Sequence, residues 1–174
     1  LPTITSVVAG VPQQPHTLFW NDFHARGGDD EVYTSLRALG LSAGTSFDVF
    51  NTHGPSSGVG DGLGGRATVS QIAYYTDMLY NAGDLSAPTL SNGDFTGDPG
   101  NDLGLMNDWL ALGGRDLFMS GDDLGNSLYN SGSVAQTFLE NQMGVQFLDN
   151  DIRDNIGGQT APKVVVMAGN PVFS

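Results

Sequence analysis

Three segments of this sequence repeat one pattern, in which a short apolar run ends in small or acidic polar residues. They are Thr17–Asp22 (TLFWND), Asp77–Asp84 (DMLYNAGD) and Leu110–Asp123 (LALGGRDLFMSGDD). Parallel strands are buried on both faces of their sheet and therefore form short continuous apolar runs, and ligand-binding groups gather where those strands end. The pattern predicts an α/β fold with a mostly parallel sheet. It places any functional site at the carboxyl edge of the strands.

Strand-like and helical segments alternate along most of the chain. The predicted strands are Thr17–Trp20, Ser46–Phe50, Asp77–Tyr80, Asp116–Met119, Val145–Leu148 and Lys163–Met167. The predicted helices are Glu31–Leu39, Ala67–Tyr75, Asp102–Leu112, Leu124–Tyr129 and Ser133–Gln142. Strands that alternate with helices favour a parallel sheet with right-handed crossovers. We therefore expect a three-layer α/β/α sandwich with the flavodoxin-like strand order 2-1-3-4-5.

The length of 174 residues and the hydrophobic content of 39 % suit one domain with a substantial core. We expect residues 17–174 to form this domain and to end early at the C-terminus. Residues 1–16 are predicted to be a linker or the end of a preceding element, with a short β-like run over Ile4–Val8, and Asn150–Pro162 is predicted to be a polar loop. No apolar run approaches the ~20 residues of a membrane span. No signal peptide is visible, and the initial Leu1 indicates a processed or excised piece. The large aromatic residues are predicted to lie in the core: Phe19, Trp20, Trp109, Phe118 and Phe138.

The chain is strongly acidic, with a formal net charge of −13 from 17 Asp, 2 Glu, 5 Arg and one Lys. Solubility alone explains such a charge, but the charge also repels phosphate backbones and anionic lipid surfaces. We therefore expect no nucleic-acid partner and no membrane insertion, and favour cations or neutral ligands such as carbohydrate. The absence of cysteine removes disulfides, thiolate metal ligands and a Cys nucleophile. Few lysines and many Gly, Asn and Ser favour an extracellular or cell-surface location.

Several segments together resemble a known family. They are FDVFNTHGPSSGVGDGLGGRATVSQIAYYTDMLYNAGDL, LMNDWLALGGRDLFMSGDDLGNSL and FLENQMGV. They are similar to the class I glutamine amidotransferase-like domains of large secreted bacterial proteins, which often stand beside immunoglobulin-like and C-terminal sorting modules. The resemblance covers residues 17–174 and implies the fold. Catalytic members use a Cys nucleophile with a downstream His and Glu, whereas this chain has no Cys and carries His16, His24 and His53 only in its first third. The resemblance therefore does not imply amidotransferase activity.

Polar side chains follow the predicted strands at the carboxyl edge of the sheet. They are Asn21, Asp22, His53, Asn81, Asp84, Ser120, Asp122 and Asp123. Carboxylate and amide oxygens are the ligands that Ca²⁺ and Mg²⁺ prefer, so Asp22, Asp122 and Asp123 form the candidate metal set. Ca²⁺ or another divalent cation is the only cofactor that the sequence implies, and His24 or His53 would shift the preference towards Zn²⁺ or Mn²⁺. The alternative is that these acids cap helices or accept hydrogen bonds from loop amides.

Three other polar motifs lack the residue spacing of the functional motifs that they partly match. Ser120 follows a strand as hydrolase nucleophiles do, but Phe118 and Asp122 replace the glycines that the nucleophile elbow requires, and no His lies downstream. The Gly-rich loop Gly58–Arg66 lacks a GK[ST] motif, and it is predicted either to fold over itself or to cover a substrate. The loop Asn92–Asp102 lacks EF-hand spacing and is predicted to be a turn-rich connector that ends in a helix cap.

Two functions are compatible with these features. The first is a non-catalytic structural or interaction module of a secreted or cell-surface bacterial protein, with neighbouring domains, protein subunits or carbohydrate as partners. The missing Cys and the position of the histidines favour it. The second is a cation-dependent hydrolase or carbohydrate-active domain that uses the Asp-rich strand ends. Its candidate residues are Asp22, Asp84, Asp122 and Asp123.

Overall fold

The computed structural model describes residues 4–23, 26–54, 60–86, 89–94, 100–148, 153–156 and 159–162. The strands of these ranges are β1 (Ser6–Val8), β2 (Val11–Gln13), β3 (Thr17–Asn21), β4 (Phe47–Asn51), β5 (Asp77–Asn81), β6 (Asp116–Ser120), β7 (Arg153–Ile156) and β8 (Gln159–Pro162). The helices are α1 (Asp29–Ala38), α2 (Leu63–Arg66), α3 (Val69–Ile72), α4 (Asp102–Leu110), α5 (Leu124–Asn130) and α6 (Ser133–Asn141). In this part of the chain, no helix has the length and apolar character needed to cross a membrane.

Four strands form the central sheet, which is parallel throughout and has the order β4-β3-β5-β6. The register is level: Thr17 lies opposite Phe47 on one side and Asp77 on the other, and Asp77 lies opposite Asp116. The predicted α/β fold with a parallel sheet is therefore confirmed, and its first four strands have the flavodoxin-like order 2-1-3-4. Because the strands begin at one level and have equal lengths, their carboxyl ends meet at one edge.

The segment Val145–Leu148, predicted as the fifth strand, has no strand pairing in the structure. It follows α6 directly, and the Val145 backbone N–H donates to the Leu139 carbonyl at 3.0 Å. Gly144 has a φ of +65°, which glycine adopts at little steric cost. The chain therefore uses these residues to end the helix, and Leu148 is left 85 % exposed. The sixth predicted strand, Lys163–Met167, lies outside the described residues.

Helices cover the two faces of the sheet unequally. Side chains alternate along β3, so Leu18 and Trp20 point to one face and Phe19 to the other. The first face carries the main core, to which α2, α3, α4, α5 and α6 all contribute buried residues. On the second face, α1 packs Leu36 against Phe19 and Phe47. The sandwich therefore has three layers, and among the described helices α1 alone contributes buried residues to the second layer.

Two short hairpins lie outside the central sheet. β1 pairs with β2 in antiparallel fashion within the predicted linker, so the expected β-like run there has a partner that the sequence pattern did not indicate. β7 pairs with β8 inside residues 150–162, which were predicted to be a polar loop. That prediction is wrong for these two strands. The dipeptide Gly157–Gly158 between them is a sequence signal for a tight hairpin connection.

Candidate functional site

The last rung of the sheet forms a row of polar residues at the predicted edge. Asn51, Asn21, Asn81 and Ser120 are register partners across β4, β3, β5 and β6. The Asn81 side-chain amide donates to Asn21 Oδ1 at 3.3 Å and to the Gly27 carbonyl at 2.9 Å. Ser120 Oγ donates to Asn81 Oδ1 at 3.0 Å. These bonds link three strand ends and the loop after β3, so the row is held in place by its own side chains.

Asp22 lies directly after this row but is 1 % exposed. Its carboxylate accepts hydrogen bonds from the Tyr80 hydroxyl at 2.6 Å and from Thr52 Oγ1 at 2.9 Å. Thr52 Oγ1 in turn accepts the Phe23 backbone N–H. Burial, followed by the charge of Asp22, raises the pKa of Tyr80 well above its usual value, so Tyr80 stays a proton donor. Asp22 therefore joins the ends of β3, β4 and β5 from the side of the main core.

A cleft of about 710 Å³ opens beside the row, on the second face of the sheet. Its floor consists of Phe19, Leu79 and Phe118, and α1 forms one wall with Val32 and Leu36. Polar residues from the strand ends, the loops after them and the first turn of α1 border it: Arg26, Glu31, Asn81, Asp84, Ser120 and Asp122. Phe118 is 60 % exposed, so the prediction that it belongs to the core is wrong. The cleft combines an apolar floor with a polar border, as ligand sites commonly do.

One ion pair lies at the border of the cleft and joins the loops that follow β3 and β5. Arg26 Nε lies 2.8 Å from Asp84 Oδ1, and the Asp84 backbone N–H donates to the Arg26 carbonyl at 2.7 Å. Gly83 has a φ of +56°, and a Cβ at this position would lie 2.3 Å from the Arg26 carbonyl oxygen. Because both side chains of the pair are substantially exposed, the ion pair itself adds little stability. The backbone contact and the glycine hold the two loops together.

The amino end of α1 borders the same cleft and carries negative charge. Its first turn contains Asp29, Asp30 and Glu31. Acidic residues stabilise a helix N-terminus, and they also occupy the position where many α/β proteins bind phosphate. Gly28 begins the helix with a φ of +79°, and a Cβ there would lie 2.6 Å from Asn81 Oδ1. Of these three acids, only Glu31 lines the cleft, where Asp84 and Asp122 add negative charge and Arg26 adds positive charge.

The structure divides the predicted site residues between two places. Asn81, Asp84, Ser120 and Asp122 line the cleft, whereas Asn21, Asp22, His53 and Asp123 do not. His53 follows β4, three strands from β6, which corresponds to about 14 Å across the sheet. Asp123 begins α5 through its carbonyl, which accepts the Ser127 N–H at 2.8 Å, and its side chain makes no cap bond. His24 lies outside the described residues.

The predicted metal set does not form one cluster. Asp22 follows β3, whereas Asp122 and Asp123 follow β6, two strands away. Among the residues that the structure describes, no group of three or more His, Asp or Glu side chains is arranged to hold a metal ion. The binding of Ca²⁺ or another divalent cation stays a prediction. It would have to use carbonyl or amide oxygens besides these carboxylates.

Sequence reasoning missed Arg26 and Glu31 at the border and Tyr80 and Thr52 as partners of Asp22. It also missed the role of Asp102, which is fully buried. Asp102 accepts the Gly64 N–H at 2.7 Å and the Ser91 N–H at 2.9 Å, while the cap of α4 is supplied by the preceding residue, Asn101. The spacing of these residues along the chain gives no signal for such contacts, because they join segments that are distant in the sequence.

Comparisons with known proteins leave the family open. Scans against protein-family models, curated proteins and solved structures gave no significant match. The parallel four-stranded α/β sheet and the absence of cysteine are consistent with a flavodoxin-like or Rossmann-like domain.

Proposed function

We propose that this chain is a non-catalytic recognition module that binds a neutral or cationic partner in the cleft at the carboxyl edge of its sheet. We further propose that it belongs to a secreted or cell-surface bacterial protein and is a cysteine-free relative of the class I glutamine amidotransferase-like domains. The observation that carries the proposal is the cleft, in which the exposed Phe118 and the polar groups of Asn81 and Ser120 face one space.

The state of the polar groups supports recognition over catalysis. Ser120 Oγ lies 3.0 Å from Asn81 Oδ1 and 3.3 Å from the Tyr80 carbonyl oxygen, so its single proton is directed to protein acceptors. Neither described histidine is positioned to take that proton. His53 follows the distant strand β4. His16 lies just before β3, at the opposite edge of the sheet, where its ring stacks on Tyr74 with 4.7 Å between the ring centroids.

The acidic border supports the choice of a neutral or cationic partner. Glu31 comes from α1, Asp122 follows β6, and Arg26 is paired with Asp84. The same acids support the second candidate, a cation-dependent hydrolase or carbohydrate-active domain. The two candidates differ in whether a divalent cation binds tightly before any partner does.

The binding competence of the cleft is tested with Nile red, a neutral apolar dye. We expect saturable fluorescence enhancement with the intact chain and a loss of at least about tenfold in affinity for Phe118→Ser. The matched control is Leu39→Ser, because Leu39 is 75 % exposed at the end of α1 and lies outside the cleft lining. Equal binding by both variants, with both folded by circular dichroism, would contradict the proposal.

Titration with CaCl₂ by calorimetry separates the two candidates. A recognition module is expected to give no saturable heat, and its melting temperature should not change when EDTA is added. Stoichiometric binding that Asp122→Asn abolishes would instead support the cation-dependent hydrolase. Glu140→Gln is the control, since Glu140 is an exposed acid on α6, which packs on the other face of the sheet and does not line the cleft.

A further inference from the structure

One row of side chains crosses the second face of the sheet and changes from buried to exposed. Phe19, Leu79 and Phe118 are register partners on β3, β5 and β6, and alternation places all three on this face. Phe19 is fully buried beneath α1, whereas Phe118 is 60 % exposed. Parallel sheets are normally covered on both faces, whereas among the described helices only α1 buries a residue on this face. The β5–β6 half of the face, which carries Leu79 and Phe118, is called the strip below.

Acidic residues lie at both ends of the strip that Leu79 and Phe118 form on β5 and β6. Asp77 and Asp116 are register partners two residues before Leu79 and Phe118, and they therefore lie on the same face at its amino end. At the carboxyl end, Glu31 and Asp122 border the cleft. The strip therefore runs from acid through an apolar centre to acid, over the length of a five-residue strand, about 17 Å.

We propose that this strip binds an amphipathic helix of a partner protein, with an apolar stripe seated on Phe118 and Leu79 and with Lys or Arg side chains on both flanks. The proposal rests on the proposed function and names the partner of the same cleft. The dimensions agree: two strands present a surface about 10 Å wide, and a helix has a diameter of about 10 Å. Three helical turns span about 16 Å, close to the length of the strip.

The charge of the strip favours a different protein over a second copy of this chain. Each copy has a net charge of −13, so a symmetric contact would bring acids against acids. A helix with basic flanks would instead place cations beside Asp116 and Asp122, which are both exposed. Charge complementarity of this kind contributes specificity and association rate, while the apolar centre contributes most of the affinity.

The probe is a fluorescent model peptide of about 15 residues, composed of Leu and Lys with the Leu residues at helical spacing. Binding is followed by fluorescence anisotropy at physiological ionic strength. A scrambled peptide of the same composition and a Leu/Glu peptide with the same spacing are the controls. We expect saturable binding of the helical Leu/Lys peptide and binding at least about tenfold weaker for each control peptide.

Two pairs of variants locate the binding surface. Phe118→Ser is expected to weaken binding about tenfold, and Leu39→Ser less than about twofold. The double change Asp116→Asn with Asp122→Asn is expected to weaken binding and to reduce its salt dependence. The double change Asp108→Asn with Glu140→Gln removes the same charge from exposed positions on α4 and α6 and should leave binding within about twofold.

Each contrary outcome has a distinct meaning. Equal binding of the scrambled peptide, or equal effects of Phe118→Ser and Leu39→Ser, would show nonspecific attraction and overturn the inference. Nile red binding without peptide binding would leave the proposed function standing and remove only the helix. Dimerisation in sedimentation that Phe118→Ser abolishes would assign the strip to a second copy. Slow thiol labelling of Phe118→Cys in the isolated chain would show that a segment of this chain covers the strip. Either this result or the dimerisation would overturn the inference.

Discussion

At the scale of single residues, buried acids join the strand ends and loops. Asp22 accepts the hydroxyls of Tyr80 and Thr52, and Asp48 accepts the Tyr75 hydroxyl at 2.6 Å. A buried carboxylate is tolerated only when it is hydrogen-bonded, and bonds to a charged acceptor are the strong ones. Asp22 therefore belongs to the framework of the carboxyl edge, and Asp48, which lies opposite Leu18, ties β4 to Tyr75 just before β5.

Tyr80→Phe tests this framework role directly. The change removes one hydrogen bond to the buried Asp22 carboxylate while keeping the ring in the core, and we expect a loss of about 1.5–3 kcal/mol in unfolding free energy. Urea denaturation measures it. The control is Tyr129→Phe, because Tyr129 is 41 % exposed, and its change should stay within about 0.5 kcal/mol. A Tyr80→Phe variant as stable as the parent chain would show that Asp22 does not depend on this donor.

The two buried tyrosines also predict how stability depends on alkaline pH. Burial raises the pKa of both Tyr75 and Tyr80 above the ordinary value of 10.0, and their acid partners raise it further. Their contribution to stability is therefore fully present below pH 10 and is lost as the pH rises above the pKa of the unfolded chain. We expect each tyrosine to add a slope of about −1.4 kcal/mol per pH unit there. Tyr75→Phe and Tyr80→Phe should each make the slope less steep by the contribution of one tyrosine. An unchanged slope would contradict the raised pKa values.

At the scale of elements, a close backbone contact between helices on the main-core face of the sheet requires glycine. α2 approaches the start of α4 so closely that a Cβ on Gly64 would lie 2.2 Å from the Asn101 carbonyl carbon. The Gly64 N–H reaches Asp102 in the same contact. The long Gly-rich segment is therefore fastened by its backbone where the structure describes it, and the prediction of a loop over Gly58–Arg66 is wrong for the short helix α2.

A pair of glycine substitutions measures this contact. Gly64→Ala forces the backbones of α2 and α4 apart and is expected to cost about 2 kcal/mol or more. Gly125→Ala is the matched control within α5, because its Cβ would meet only Phe147 at 3.6 Å, an ordinary contact. Alanine favours a helix over glycine by up to about 1 kcal/mol, so this variant should be as stable as the parent or more stable. Equal losses for both, measured by urea denaturation, would show that the contact is loose.

At the scale of the whole molecule, the distribution of helices and the net charge decide what the surface can bind. Several helices bury residues on one face and α1 on the other, so the floor of the cleft is the half of the second face beside α1. The surrounding charge of −13 destabilises the compact state through self-repulsion and disfavours anionic partners. The proposal of a neutral or cationic partner rests on the cleft and on this charge together.

The dependence of the melting temperature on salt tests how cations stabilise the fold. They either screen the repulsion among the acids or bind at a specific site. We expect the melting temperature to rise with NaCl because added ions screen the repulsion among the acids. CaCl₂ at matched ionic strength should raise it by a similar amount, whereas a specific site would add stability at millimolar concentration. MgCl₂ serves as the control for divalent charge. A rise that is specific to CaCl₂ and is lost in Asp122→Asn would contradict the non-catalytic module and support a cation site.

The sequence by itself determined the parallel α/β class, the first four strands and the edge at which polar residues gather. It could do so because apolar runs and their polar ends are local features that follow from burial of a strand on both faces. The exposure of Phe118 was decided only by the tertiary structure. Its strand is apolar like a core strand, and whether a helix covers it depends on elements distant in the sequence.

The same distinction separates Asp22 from Asp122. Both acids follow a strand, and nothing local in the sequence distinguishes them. Tyr80 of β5 and Thr52 after β4 hydrogen-bond to Asp22, which is buried on the side of the main core. Asp122 instead borders the cleft on the second face. Contacts between distant segments are set by strand register and packing, which the residue pattern of one segment does not contain.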